Sequence, residues 1–235
     1  MILLKDIIRQ ARSGELRSLS KKDKTDEVIV DYINLGLLEI YKRFQLETEE
    51  AIITMHTAKT LYRIDGTDSD VTIKSWNGAT FNTITIPEDD VLQITEAFDE
   101  NGRVPINDDG DLLSVFTPSY DTIQVPITED GSYISLIYKK NPQLVEVSDL
   151  VIDADGSLDL NDATTNTYKV KLPKTLLVPL LHYIGYRAHG AVEGEVNAEN
   201  STHLNRFEAA CKRAEDLGAV PTDSTNRDVS VKGFI

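Results

Sequence analysis

The stretch HGAVEGEVNAENSTHLNRFE, residues 189–208, gathers two of the chain's four histidines and four glutamates into twenty residues. Imidazole and carboxylate are the groups of general acid–base catalysis and of divalent-metal binding, so this is the first place to look for chemistry. His182 and His189 are seven residues apart and share a helix face, but at about 1.5 Å per residue their backbones differ by about 10 Å along the axis. One ion does not take both, and the i, i+4 histidine pair of an HExxH helix is absent. His203 can meet either histidine across a hairpin, with Glu193 or Glu195 from the turn. Against this stands a plainer reading: polar residues in a helix–helix turn need no further cause, and acids suit the start of a last helix. The expectation is therefore no catalytic group and no metal, with the histidine cluster kept as an alternative metal-dependent enzyme.

A second candidate is VIDADGSLDLND, residues 151–162. Counted from Asp153, its alternate positions offer Asp155, Ser157, Asp159 and Asn161, as a calcium loop would. However, Leu158 stands where the loop requires glycine, and Thr164 where it requires the bidentate glutamate. A solvated loop is expected, with weak divalent binding left open. None of the patterns GxSxG, GxxxxGK[ST] or GxGxxG occurs. The single cysteine, Cys211, lies on an apolar helix stripe and reads as a packed thiol; being alone, it excludes an internal disulfide. The basic loop of Arg17, Lys21, Lys22 and Lys24 reads as solvated surface.

The elements that must position these residues follow from periodicity. Leu4, Ile7, Ile8 and Ala11 share a helix face that Gly14 ends, and DKTDE signals a second helix carrying Val30, Ile33, Leu37, Ile40, Tyr41 and Phe44. From residue 50 the period becomes two: AIITMH, TLYRI, VTIKSW, FNTITI, VLQITEAF, DTIQVP and SYISLIYKK read as strands. Asn101-Gly102 signals a tight hairpin. Helical period returns at Pro173, with Leu177, Leu181, Ile184 and Ala188 on one face and Pro179 as a kink or restart. A last helix begins between Asn197 and Asn200 and carries Leu204, Phe207, Cys211, Ala214 and Leu217. The expected fold is α+β: N-terminal helices (1–49) and a C-terminal helical hairpin (173–220) form one bundle, an antiparallel β-rich domain (50–172) is inserted, and an arm (221–235) follows. The core of the helical domain is assigned to Ile33, Leu37, Ile40, Phe44, Leu177, Leu181, Ile184, Leu204 and Phe207.

The net charge of −15 is unevenly spread. Residues 1–49 hold nine acids and nine bases, residues 50–172 twenty-two and eight, and residues 173–235 eight and seven. An acidic middle repels phosphate backbones, which argues against tight nucleic-acid binding. No window approaches the roughly 18 apolar residues of a membrane span, and the start MILLKDIIRQAR lacks a cleavage signal, so synthesis in the cytoplasm is expected. The closing DVSVKGFI places Val229, Val231 and Ile235 to one side and Phe234 to another, as an arm that returns to its own sheet or docks on a partner.

Three stretches, DEVIVDYINLGLLEIYKRF, LPKTLLVPLLHYIGYRAHG and HLNRFEAACKRA, carry a resemblance to the head-to-tail adaptor (connector, or head completion) proteins of tailed bacteriophages. Asn34 with Glu39 and the following aromatic, the proline-led apolar helix, and the Phe207-Glu208 step are the points of likeness. What the resemblance implies is a structural virion protein without cofactor: a ring, usually twelve-fold, that docks on the portal protein, extends the channel through which double-stranded DNA passes without specific binding, and offers a platform to the next tail or ring protein. The terminal arm, Val229, Val231, Phe234 and Ile235, would grip the portal. A rival class is a β-rich module binding a glycan or receptor, against which Trp76, the sole tryptophan, argues mildly.

Overall fold

Helical period at both ends and strand period between them give, in chain order, β1 (Ile2–Leu3), α1 (Leu4–Ser13), α2 (Asp26–Arg43), β2 (Thr48–Thr54), β3 (Leu61–Arg63), β4 (Val71–Trp76), β5 (Phe81–Ile84), β6 (Val91–Asp99), β7 (Gly102–Val104), β8 (Phe116–Ser119), β9 (Thr122–Gln124), β10 (Tyr133–Lys140), α3 (Ala163–Thr167), β11 (Lys169–Val170), α4 (Leu177–Glu193) and α5 (Ala198–Asp216). This computed structural model describes residues 1–20, 25–76, 81–126, 130–151, 153, 157–159, 162–193 and 198–220. The fold is α+β, and the strand ladders are antiparallel. The chain divides into two units, Met1–Phe44 with Pro142–Ile235, and Gln45–Asn141.

In the first unit, α4 packs against α1, α2 and α5. Helix α2 starts where Thr25 accepts the Val28 N–H at 3.4 Å, with Asp26 and Glu27 in the first turn where the helix dipole favours them. Its apolar face, Ile29, Val30, Ile33, Leu37, Ile40 and Tyr41, is buried. Pro179 causes no kink: a 3₁₀ turn over Lys174–Leu176 precedes α4, so the proline falls in the first α-helical turn, where its missing N–H is not needed. The expected insertion ran to residue 172, but residues 142–172 group with the helices, and hydrogen bonds explain why. The Asn34 side chain donates to the Val145 carbonyl at 2.9 Å and accepts the Val145 N–H at 2.8 Å, tying both backbone groups of this buried residue onto α2. Tyr41 donates to the Lys171 carbonyl, Asp26 accepts the Leu158 N–H, and Ile2 pairs with Val170. Non-periodic backbone of this kind carries no hydrophobic pattern, so its attachment is invisible until the partners are in place.

The second unit holds a six-stranded sheet, ordered β5-β4-β2-β10-β6-β7, and a three-stranded sheet, ordered β3-β9-β8. Strand β10 lies between β2 and β6 and buries Ile134, Leu136 and Tyr138 on alternate positions. Leu136 pairs with Ala51 on one side and Ala97 on the other, all three fully buried. Tyr62, Ile64, Ile123 and Val125, in and beside the smaller sheet, belong to the same core cluster. The predicted hairpin forms as β6–β7, but its two central residues are Glu100 and Asn101. Gly102 already pairs with Asp99, whose carboxylate accepts the Asn101 and Gly102 N–H groups at 2.7 and 2.9 Å.

Two measurements check this account. Replacing Asn34 by Ala leaves a buried N–H and a buried carbonyl without their partner, and should lower unfolding stability by about 2 kcal/mol in a denaturant titration of the full chain. Carboxylates of the β-rich unit contribute to the loss of stability in acid. A hydrogen bond from Ser119 holds Asp121 below the usual carboxylate range, one from Lys59 does the same for Asp70, and one from Thr67 for Asp65. Groups whose folded pKa is depressed stabilise fully above the ordinary value of about 3.9 and lose that contribution as pH falls through the lower folded values. The thermal midpoint should hold steady around neutrality and drop below about pH 4, less steeply when Asp70 and Asp121 are both replaced by Asn.

Candidate functional site

The first unit brings together the groups that the sequence flagged, with one substitution of partner. Helix α1 ends at Gly14, whose N–H reaches the Gln10 carbonyl, and the chain then turns through Leu16, whose N–H bonds the Ala11 carbonyl. That turn carries Glu15 inward. Its Oε1 lies 3.1 Å from His182 Nδ1 on α4, and its Oε2 lies 2.9 Å from His203 Nδ1 on α5. Both nitrogens are buried, yet neither makes a hydrogen bond to a described residue. The carboxylate is within ion-pair distance but off the line of an N–H bond, so proximity holds the contact and direction does not. His189 completes the group: its Nε2 lies 3.0 Å from the Glu15 carbonyl, and its ring stacks on His203 with centroids 4.9 Å apart.

Thus His203 meets both other histidines across α4 and α5, one through Glu15 and one through its ring. Among the described residues the carboxylate comes from Glu15; Glu195 and the side chain of Glu193 lie outside them. Distance along the chain hid Glu15, since nothing in its neighbourhood marks it as a partner of residues 182 and 203. The signal for His203 was present: His203, Phe207, Cys211 and Ala214 follow helical spacing and are buried together. Leu204, assigned to the core, is 36% exposed, because the buried stripe of α5 runs one residue earlier and seats His203 in its place. Leu177 and Leu181 are half-buried, while Leu176, Leu180 and Ile184 are fully buried. Ile33, Leu37, Ile40, Phe44 and Phe207 are buried.

Gly185 permits this packing. A methyl group there would stand 2.8 Å from His203 Nδ1, closer than such atoms come, and a tight 3.1 Å from the Glu15 Cβ. Burial pushes His203 below the ordinary histidine value, with Glu15 pulling the other way. Cys211 is fully buried, and burial pushes its thiol up to about 11, which suits packing and not nucleophilic attack. A groove borders the cluster, lined by Val178, Pro179, His182, Arg206, Ala210 and Leu217. In the loop compared with a calcium site, Leu158 is buried with its N–H bound by Asp26, and Asp153 donates its N–H to the Ser157 carbonyl. Lys21, Lys22, Lys24, Asp155, Asn161, Val229, Val231, Phe234 and Ile235 lie outside the described residues.

What decides the family is the extent of one match. The family model of the SU10 adaptor protein covers residues 3–230, both units included. The chain belongs to the SU10 adaptor protein family. No curated protein matches it. Membership fits a phage head-to-tail adaptor, a structural phage protein, and so agrees with the resemblance drawn from the three helical stretches. Among the described residues, no helix is long and apolar enough to cross a membrane. In the adaptor, a Gly185→Ala chain gains about 1 kcal/mol of helix propensity but must displace a histidine held by its stack on His189. A net loss of stability, read as a lower thermal midpoint, is expected; an unchanged midpoint would mean that His203 swings aside freely.

Proposed function

We propose that this chain is a phage virion protein that joins head to tail: copies assemble into a ring, twelve-fold by resemblance, which docks on the portal protein, extends the DNA channel and presents a platform to the next tail or ring component. The family match over residues 3–230 carries this reading. The helices of residues 1–49 and 173–220 form the bundle that is the body of each ring subunit, with Ile33, Leu37, Ile40, Phe44, Ile184 and Phe207 in its core. Exposed apolar side chains beside the groove, Val178 at 53% and Leu217 at 71%, supply surface for a neighbouring copy. The excess of twenty-two acids over eight bases in residues 50–172 keeps passing DNA unbound. The role is structural, without catalysis or membrane contact.

The arm of Val229, Val231, Phe234 and Ile235 is assigned to portal docking by its position and character. Negative-stain imaging of the protein, alone and mixed with a portal, should show rings that seat on the portal. Deleting the last seven residues should weaken portal binding at least tenfold while leaving the circular dichroism spectrum unchanged. A monomer that binds no portal, with or without those residues, would overturn the proposal.

A further inference from the structure

Glu15, His182 and His203 come from three separate chain segments, yet their ligand atoms all lie within 4.8 Å of one another. Four-coordinate zinc with bonds of about 2.0–2.2 Å needs ligand atoms about 3.4 Å apart. The contacts of 3.1 and 2.9 Å from the two Glu15 oxygens to the two Nδ1 atoms are each within a few tenths of an ångström of that separation, and the ligand atoms, up to 4.8 Å apart, would draw together on an ion.

Burial makes the case independent of mere clustering. His203 is 8% exposed, and the Nδ1 atoms of His182 and His203 are buried without a hydrogen bond to a described residue. A buried polar atom left in this state costs about 1–3 kcal/mol, and a cation accepting both lone pairs removes that cost at once. The neighbours are arranged to hold the donors still: His189 stacks on the His203 ring and contacts the Glu15 carbonyl through Nε2, and Gly185 leaves the space into which the His203 nitrogen fits. The groove that includes His182 gives an ion a path from solvent.

We propose that Glu15, His182 and His203 form a binding site for a divalent transition-metal ion of the zinc class, which ties the turn after α1 to α4 and α5. Two imidazoles and one carboxylate suit zinc, cobalt or nickel; calcium and magnesium demand more oxygen ligands. Three protein ligands leave a position for water. The site is a staple within one subunit, and it stands or falls separately from the adaptor role. His189 is a positioning residue that aims His203.

The test uses the full chain, stripped with a chelator and dialysed against zinc. Elemental analysis should find one zinc per chain, and zinc should raise the thermal midpoint. Replacing His56, which lies near Asp70 and Asp130 in the other unit, by Ala should change neither result. Glu15→Gln and His182→Ala should each weaken zinc binding at least tenfold and remove the thermal shift. The His182 side chain is about one-fifth exposed, so this variant decides the matter if the Glu15 variant does not fold. Cobalt in place of zinc should give the absorption of a four-coordinate ion in the parent and lose it in the variants. No bound zinc on the parent, binding undiminished in His182→Ala, or binding lost with His56→Ala would each overturn the site.

Discussion

Two hydrogen atoms set how closely the helices of the first unit approach. At Gly36 of α2, a methyl group would stand 2.6 Å from Leu180 Cδ1 and 3.1 Å from the Tyr183 ring; at Gly185 of α4, it would meet His203 and Glu15. With glycine at both places, α4 can lie against α2 on one side and against α5 on another, and the side chains between them pack edge to face. Tyr183 and Phe207 rings sit 5.3 Å apart at 65°, a favourable aromatic geometry. Arg43, at the end of α2, then reaches two glutamates of α5, Glu208 and Glu215, each at 2.6 Å. Those charge contacts are consequences of the close approach and add little on their own at a partly exposed surface.

The sheet of the second unit solves its spacing problem by the same means, with small residues beside a large one. Across one row, Ile73, Ala51, Leu136, Ala97 and Val104 are successive cross-strand partners. Leucine flanked by alanines fills the centre without crowding its neighbours, and slipping β10 by one residue would send Leu136 to the other face. The smaller sheet contributes buried Tyr62 and Ile123, which are themselves cross-strand partners. Register and core thus depend on one another.

Much of this was legible from periodicity, and the omissions share a cause. The runs 51–56, 60–64, 71–76, 81–86, 91–98, 121–126 and 132–140 all contain strands, because alternation is a local property of the sequence. Strands β1, β8 and β11 went unread: they are two to four residues long, too short for a period, and exist because a partner strand supplies their hydrogen bonds. The candidate site divides along the same line. Histidines 182, 189 and 203 were visible as residues, and the helical spacing that buries His203 was present too. Glu15 was out of reach, since its role comes from a turn that ends α1 and from helices more than 160 residues later. Asn34 stood out in the resemblance as a pattern; its physical role, clasping both hydrogen-bonding groups of Val145, needed the fold.

The acidity of residues 50–172 reads differently once the turns are known. Asp65, Asp68, Asp99, Asp108 and Asp111 each accept the N–H of the residue two places on, so the carboxylates close the loops between strands. Others share their cations: Lys59 lies between Asp68 and Asp70, Arg63 between Asp65 and Asp121, and Lys140 between Glu49 and Asp90. One base serving two acids leaves a negative remainder at every such node, and a backbone N–H cancels no charge. The turn chemistry of a β-rich unit therefore generates a negative field as a by-product, and that field repels a phosphate backbone whether or not it was selected for the purpose. Asparagine could close several of these turns equally well. At Asp65 and Asp68, however, the carboxylate closes the turn and pairs with Arg63 or Lys59 at once, which asparagine could not do.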